Sequence, residues 1–293
     1  MKTNKLRRIE KVTQPGTPHF VGDGFRVHNF IPGTSTMQRM DPFIMLDYNS
    51  KYNFPATNKP KGVGVHPHRG FETVTIAYKG CVEHSDSAGG GGVIGEGDVQ
   101  WMTAASGVLH KEFHETEWSK TGGEFQMVQL WVNLPAKDKM STPKYQAISN
   151  SEITKIDLPN KAGEIEVIAG DYQGHKGAAS TFSPVNMFNL KLKKGAKTQL
   201  SFPANYTTAL LMVEGDAIVN ENTDAPQDHF VMFSNDGESF TVEALNDAII
   251  LVLSGEPINE PIAAHGPFVM NTQEELIEAF QDFNTGKFGY LED

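Results

Sequence analysis

The stretch His66-Pro67-His68-Arg69-Gly70-Phe71-Glu72-Thr73-Val74 puts two imidazoles two residues apart in sequence that reads as extended strand. Along a strand, residues i and i+2 project from the same face, so both rings can reach one metal ion. Glu72 shares their parity. Further on, His110-Lys111-Glu112 repeats the spacing. Three or four nitrogen and oxygen donors drawn from two strands have the makings of a metal site.

Imidazole and carboxylate donors without thiolates suit Fe(II), Mn(II), Cu(II), Ni(II) or Zn(II), and ligand softness alone does not choose among them. A catalytic site also leaves coordination positions open for water, substrate or dioxygen. Pro67 fixes φ and lacks an N–H, which suits an edge or irregular strand and stiffens the histidine pair. A lone histidine would read as an ordinary polar residue; two strand-compatible pairs favour the metal. His110 and His114 could also form a helical i, i+4 pair, but the zinc-protease pattern needs Glu directly after the first His, and Lys111 stands there. His114 shares strand parity with His110 and Glu112, so it is a candidate supporting partner or substitute ligand. His84, His175 and His229 lie in turn-rich sequence and are expected to be solvated.

Around these clusters, short runs rich in Val, Ile, Phe and Thr alternate with Gly, Asn, Asp and Pro. That pattern predicts an all-β sandwich or barrel. Strands are predicted over 73–78, 99–103, 125–132, 165–168, 209–213, 230–233 and 248–253. Gly89-Gly90-Gly91-Gly92 is not followed by Gly-Lys-Ser/Thr, so it reads as a hairpin loop and not a phosphate cradle. Near the end, Thr272-Gln273-Glu274-Glu275 forms a capping box ahead of Leu276, Phe280 and Phe283, an apolar stripe predicting one helix that docks on a barrel.

The two halves echo each other. Thr73 to Gly80 followed by Cys81-Val82-Glu83-His84 parallels Ala209 to Gly215 followed by Asp216-Ala217-Ile218-Val219. A duplicated β-domain is predicted. Setting Gly80 on Gly215 places Ser201, Pro203 and Thr207 where the first half has His66, His68 and Glu72, so the second half lacks the donors. The polar stretch around Pro135 to Pro143 reads as the linker, giving 1–135, a linker at 136–146, 147–260, and a tail at 261–293.

At 293 residues and 32.2 kDa the chain has room for two domains. A formal charge of -11 argues against broad binding to nucleic acid or anionic lipid, which needs a cationic surface. The basic start Met1-Lys2-Thr3-Asn4-Lys5-Leu6-Arg7-Arg8 is not followed by the apolar run of a secretory signal. Cys81 is the single cysteine, which removes intrachain disulfides and thiolate clusters. A cytoplasmic protein is expected.

The string 66–74, together with Gly97-Asp98-Val99-Gln100-Trp101-Met102-Thr103-Ala104 and Gly107-Val108-Leu109-His110-Lys111-Glu112, closely resembles the pirin family of bicupins. So do Asp41-Pro42-Phe43 with Leu46-Asp47 and the tail Gly266-Pro267-Phe268-Val269-Met270-Asn271-Thr272. The likeness spans nearly the whole chain. It implies two cupin, jelly-roll-type barrels in tandem with a short C-terminal helix. It also implies one Fe(II), with Zn, Mn, Cu, Ni or Co as alternatives, held by His66, His68, His110 and Glu112 in the first cupin only. Glu72 fits the general cupin spacing but becomes a neighbour of the site. Pro60 and Ala105 depart from the wider cupin signature without touching a ligand.

The activity implied by the resemblance is that of a quercetin 2,3-dioxygenase: a flavonol binds through its 3-hydroxyl, dioxygen adds across the heterocyclic ring, and carbon monoxide and a depside leave. Glu112 would also accept the hydroxyl proton. Phe43, Phe71, Trp101 and Met102 are candidates for an apolar wall, with core packing the alternative for each, Arg69 for an ion pair or a substrate contact, and Asp47 for support of a ligand. The resemblance equally allows a non-catalytic, iron-dependent binding partner of a transcription factor or metabolic enzyme; other cupin chemistry with the metal as a Lewis acid is a third reading. A monomer is expected.

Overall fold

The computed structural model describes residues 5–292. Met1 to Asn4 of the basic N-terminal stretch lie outside the described residues. The chain is mostly strand, and it divides into two compact units.

The first unit comprises residues 16–150 and 258–293. Its seven-stranded sheet runs, in spatial order, Lys144–Ile148, Val99–Thr103, Phe71–Lys79, Gly123–Asn133, Phe43–Phe54, Phe25–Ile31 and His19–Val21. A four-stranded sheet runs Gly62–His68, Val108–His114, Val82–Asp86 and Gly91–Ile94. All these pairings are antiparallel. The local cause is readable residue by residue. In Val108–His114 the buried positions are Val108, His110, Glu112 and His114, while Leu109, Lys111 and Phe113 are half-buried, the period of two that a half-covered sheet imposes. Phe71–Lys79, flanked on both sides in its sheet, is instead buried along nearly its whole length.

Gly70 turns the chain from the His68 strand into the Phe71 strand. Its φ is +91°, and a Cβ there would lie 1.9 Å from the Val269 carbonyl oxygen, so only glycine fits.

The second unit, residues up to Pro15 and 151–257, repeats the architecture. Its seven-stranded sheet is ordered Ile9–Thr13, Phe230–Phe233, Thr207–Glu214, Ala248–Gly255, Val185–Leu192, Gly163–Ala169 and Thr154–Asp157. Its four-stranded sheet is ordered Lys197–Ser201, Ser239–Ala244, Ala217–Val219 and Thr223–Ala225. The duplication and the all-β jelly-roll class read from the sequence are both present. Each predicted strand lies within an observed one.

The boundaries differ from the expected cuts. Ile9–Thr13 pairs with Phe230–Phe233, with Val12 opposite Val231, and so completes the sheet of the second unit. Lys144–Ile148, partly inside the expected linker, pairs with Val99–Thr103 in the first unit. Residues 258–293 also belong to the first unit.

There the helix Gln273–Asn284 carries the predicted capping box of Thr272 and Glu275. Leu276 and Ala279 are buried beside Phe268, Met270 and Phe288, but Phe283 is exposed. The buried face carries Asp282 in its place, because Arg69 lies opposite. Among the described residues, no helix is long and apolar enough to cross a membrane.

Candidate metal centre

His66, His68 and His110 converge, each offering a ring nitrogen within 4.8 Å of the others. The ladder explains how: His66 lies directly opposite His110, and His68 opposite Val108, on adjacent antiparallel strands. On the other side of the same strand, His110 faces Asp86 and Glu112 faces His84. Glu112 forms a second cluster of donor atoms with His84 and His110, again within 4.8 Å. The four residues that the resemblance implies fall into two overlapping clusters that share His110, with His66 and His68 in one and Glu112 beside His84 in the other.

Every ring has a partner for Nδ1. The His66 Nδ1 lies 2.8 Å from the Gly64 carbonyl oxygen and that of His68 3.2 Å from the Pro267 carbonyl oxygen. A carbonyl accepts only, so these Nδ1 atoms carry the proton and the Nε2 lone pairs are free. His110 Nδ1 lies 3.4 Å from His84 Nδ1, while its Nε2 is buried without a hydrogen-bond partner. An orphaned ring nitrogen beside two imidazoles with free lone pairs fits a cation.

Burial, with repulsion from His66, pulls the His68 pKa down to about 3 against the pull of the Pro267 carbonyl. Burial and then the neighbouring His66, His68 and His84 also hold His110 well below the usual range. Both rings are neutral near pH 7, the state that ligates metals.

The Glu112 carboxylate is steered from both sides. Gln100 Nε2 donates to Oε1 and Gln129 Nε2 donates to Oε2 at 3.1 Å. The Thr75 hydroxyl lies 3.2 Å from Oε1 and also within reach of Gln129, and its one proton serves one of them at a time. These supports hold the carboxylate in one orientation.

A cavity of about 280 Å3 opens onto His66, His68 and Glu112. Phe25, Val27, Met45, Met127 and Trp131 give it apolar walls, and Asp47 and Gln129 add polar groups. Burial raises the Asp47 carboxyl, opposed by donation from Asn29 Nδ2 at 2.7 Å. A larger cleft in the second unit, about 610 Å3, is lined by Lys161, Lys191, Glu164 and Asp247. It lacks a convergent donor cluster. The strands there that correspond to the His-bearing pair, Lys197–Ser201 and Ser239–Ala244, contain no histidine, and Phe188, Phe202, Phe233 and Phe240 pack that interior.

Several residues sit elsewhere than the sequence reading placed them. Glu72 is buried and accepts from Thr103 Oγ1 at 2.7 Å, outside both donor clusters. His114 bonds through Nε2 to the Gly24 carbonyl oxygen at 2.8 Å and packs among Phe25, Phe54 and Phe125. His84, expected to be solvated, is 1% exposed in the strand Val82–Asp86, stacked 4.8 Å from Tyr145. Phe43, Phe71, Trp101 and Met102 do not line the cavity. Trp101 has the opposite parity to Gln100, which faces Glu112, and Phe71 stacks behind Trp131 at 4.1 Å. Arg69, by contrast, takes the ion-pair role among its two expected ones, buried against Asp282. The supports Gln100, Gln129 and Thr75 were missed, yet their strand parity relative to the donors was available.

A family model described as Pirin matches residues 24–132, and one described as Pirin C-terminal cupin domain matches residues 187–289. A Pseudomonas aeruginosa protein named "Putative quercetin 2,3-dioxygenase" is 47% identical, covering 97% of this chain and 99% of its own. Pirin of Homo sapiens is 37% identical over 92% of this chain and 90% of its own. A crystal structure titled quercetin 2,3-dioxygenase from Acinetobacter baumannii superposes with a TM-score of 0.93 at 49% identity, covering 98% of this chain and 100% of that one. With two matched domains in this order and relatives aligned over almost their full length, the chain belongs to the pirin family.

Proposed function

We propose that this protein is a dioxygenase of the quercetinase type that holds Fe(II) through His66, His68, His110 and Glu112 and opens the heterocyclic ring of flavonols such as quercetin. The observation that carries the reading is the meeting of three imidazoles and a steered carboxylate with an apolar cavity. The names of the Pseudomonas and Acinetobacter relatives support this chemistry over other cupin reactions. When bound, the ion supplies Lewis-acid stabilisation of the flavonol 3-oxyanion and a route for electron density toward dioxygen. Over the whole reaction two ring carbon–carbon bonds break, both atoms of one dioxygen enter the depside, and the carbon between the broken bonds leaves as carbon monoxide.

The protein's part is binding, orientation and proton handling. Glu112, steered by Gln100 and Gln129, accepts the proton of the 3-hydroxyl. Asp47, also on the cavity wall, takes a ring hydroxyl by hydrogen bond. Met45, Met127 and Trp131 contact the flat faces of the substrate and exclude water.

The test is iron-loaded protein incubated with quercetin, following dioxygen uptake and loss of flavonol absorbance. Both are expected for the wild type and neither for His66→Ala. A wild type that binds iron yet leaves quercetin untouched contradicts the enzymatic reading and favours an iron-dependent binding role.

A further inference from the structure

His110 differs from the other two imidazoles in what faces its Nδ1. His66 and His68 face carbonyl oxygens, which accept unconditionally; His110 faces another imidazole nitrogen, His84 Nδ1, at 3.4 Å. That contact is productive only if one nitrogen carries the proton and the other a lone pair. For His110 to present its Nε2 lone pair, its proton must sit on Nδ1, so His84 must accept at Nδ1 and hold its own proton on Nε2.

Asp86 enforces that arrangement. Its Oδ2 lies 3.2 Å from His84 Nε2, while its Oδ1 accepts from the amides of Ala88 at 2.8 Å and Gly90 at 2.9 Å. A carboxylate fixed by two amides can only accept from the ring. Tyr145 stacks on His84 with the planes 9° apart and so restrains ring rotation. His84 and His110 are at most 1% exposed and Asp86 6%, which limits competition from bulk water.

The geometry points to Asp86 and His84 as positioning residues that set the tautomer of His110 and aim its Nε2 lone pair at the metal. This rests on the proposed metal site and adds two residues to it, acting through His110 rather than on substrate.

The arrangement makes Asp86→Asn an inverting substitution of unchanged shape. The two backbone amides keep the asparagine oxygen in the Oδ1 place, which turns its NH2 toward His84 Nε2. His84 must then accept at Nε2 and carry its proton on Nδ1. His110 accepts in turn and moves its proton to Nε2, where it blocks ligation.

The experiment uses the full chain with Co(II) as the probe. Long-range proton–nitrogen NMR of the metal-free protein reports the tautomers, and chelator competition reports Co(II) affinity. Wild type is expected to show His110 protonated on Nδ1 and His84 on Nε2. Asp86→Asn is expected to reverse both and weaken Co(II) binding by about 10- to 100-fold. A wild-type His110 protonated on Nε2, or an Asp86→Asn affinity within about twofold of wild type, overturns the inference. The wild-type spectrum alone decides it if the variant does not fold. Failure of the underlying metal reading looks different: wild type itself then fails to bind Co(II).

Discussion

Arg69 Nη2 donates to Asp282 Oδ2 at 2.8 Å, joining the residue after His68 to the C-terminal helix of the same unit. Arg69 Nε also donates to the Ser106 carbonyl at 2.7 Å, and its guanidinium lies 4.7 Å from the centre of the Phe288 ring. With the Pro267 carbonyl accepting from His68, the tail residues fix the end of the histidine-bearing strand.

Removing one partner leaves a buried charge uncompensated. Asp282→Ala is expected to lower unfolding free energy by about 3 kcal/mol, read as a shift of the denaturant midpoint. The pair Arg69→Met with Asp282→Leu should lose less than the single change, because both charges go. A single change that costs nothing would contradict a structural role for the pair.

Glu72 gives a pH signature. Burial, opposed by the hydrogen bond from Thr103, raises its pKa from 4.5 to about 7. Between those values the folded state holds a proton that the unfolded state has released, so this group's contribution to stability falls as pH rises through the window. Glu72→Gln removes that slope. It should match wild type near pH 4 and exceed it above pH 7, by at most about 3 kcal/mol. A difference between variant and wild type that is the same at pH 5 and pH 8 would contradict the assignment.

The cavity wall can be tested apart from the donors. Met45→Trp places a large ring in a space of about 280 Å3 while removing none of the donor side chains. Metal content should stay at the wild-type level while kcat/KM for quercetin drops at least about tenfold. Unchanged kinetics would mean that substrate binds elsewhere.

What the sequence made legible follows from which signals are local. Strand parity, a period of two that survives into the structure, marked His66, His68 and Glu72, and His110, Glu112 and His114, as candidate donors, and the family resemblance chose Glu112 among the carboxylates; His110 still lies opposite His66 although a bulge follows it. His84-Ser85-Asp86 carries the same i, i+2 spacing, but the glycine run after it made the segment look like a loop. In the structure Val82–Asp86 is a strand that buries Val82, His84 and Asp86, and Gly91 and Gly92 belong to the next one. Aromatic content does not say which sheet face a residue takes, so wall and core stayed open for Phe43, Phe71, Trp101 and Met102, and the structure buries all four in the core; Trp101 lies one position from Gln100 and faces away from the donors. Ile9–Thr13 joins a strand more than two hundred residues distant in sequence, Phe230–Phe233, and no local pattern encodes such a partner.

The most direct test of the four-residue centre is anaerobic calorimetric titration of the metal-free protein with Fe(II). Wild type and Glu72→Gln should each take up about one ion per chain with equal affinity, and His110→Ala should bind at least about 100-fold more weakly. Wild type that takes up less than about a tenth of an ion per chain, or His110→Ala that binds as tightly as wild type, would contradict the centre.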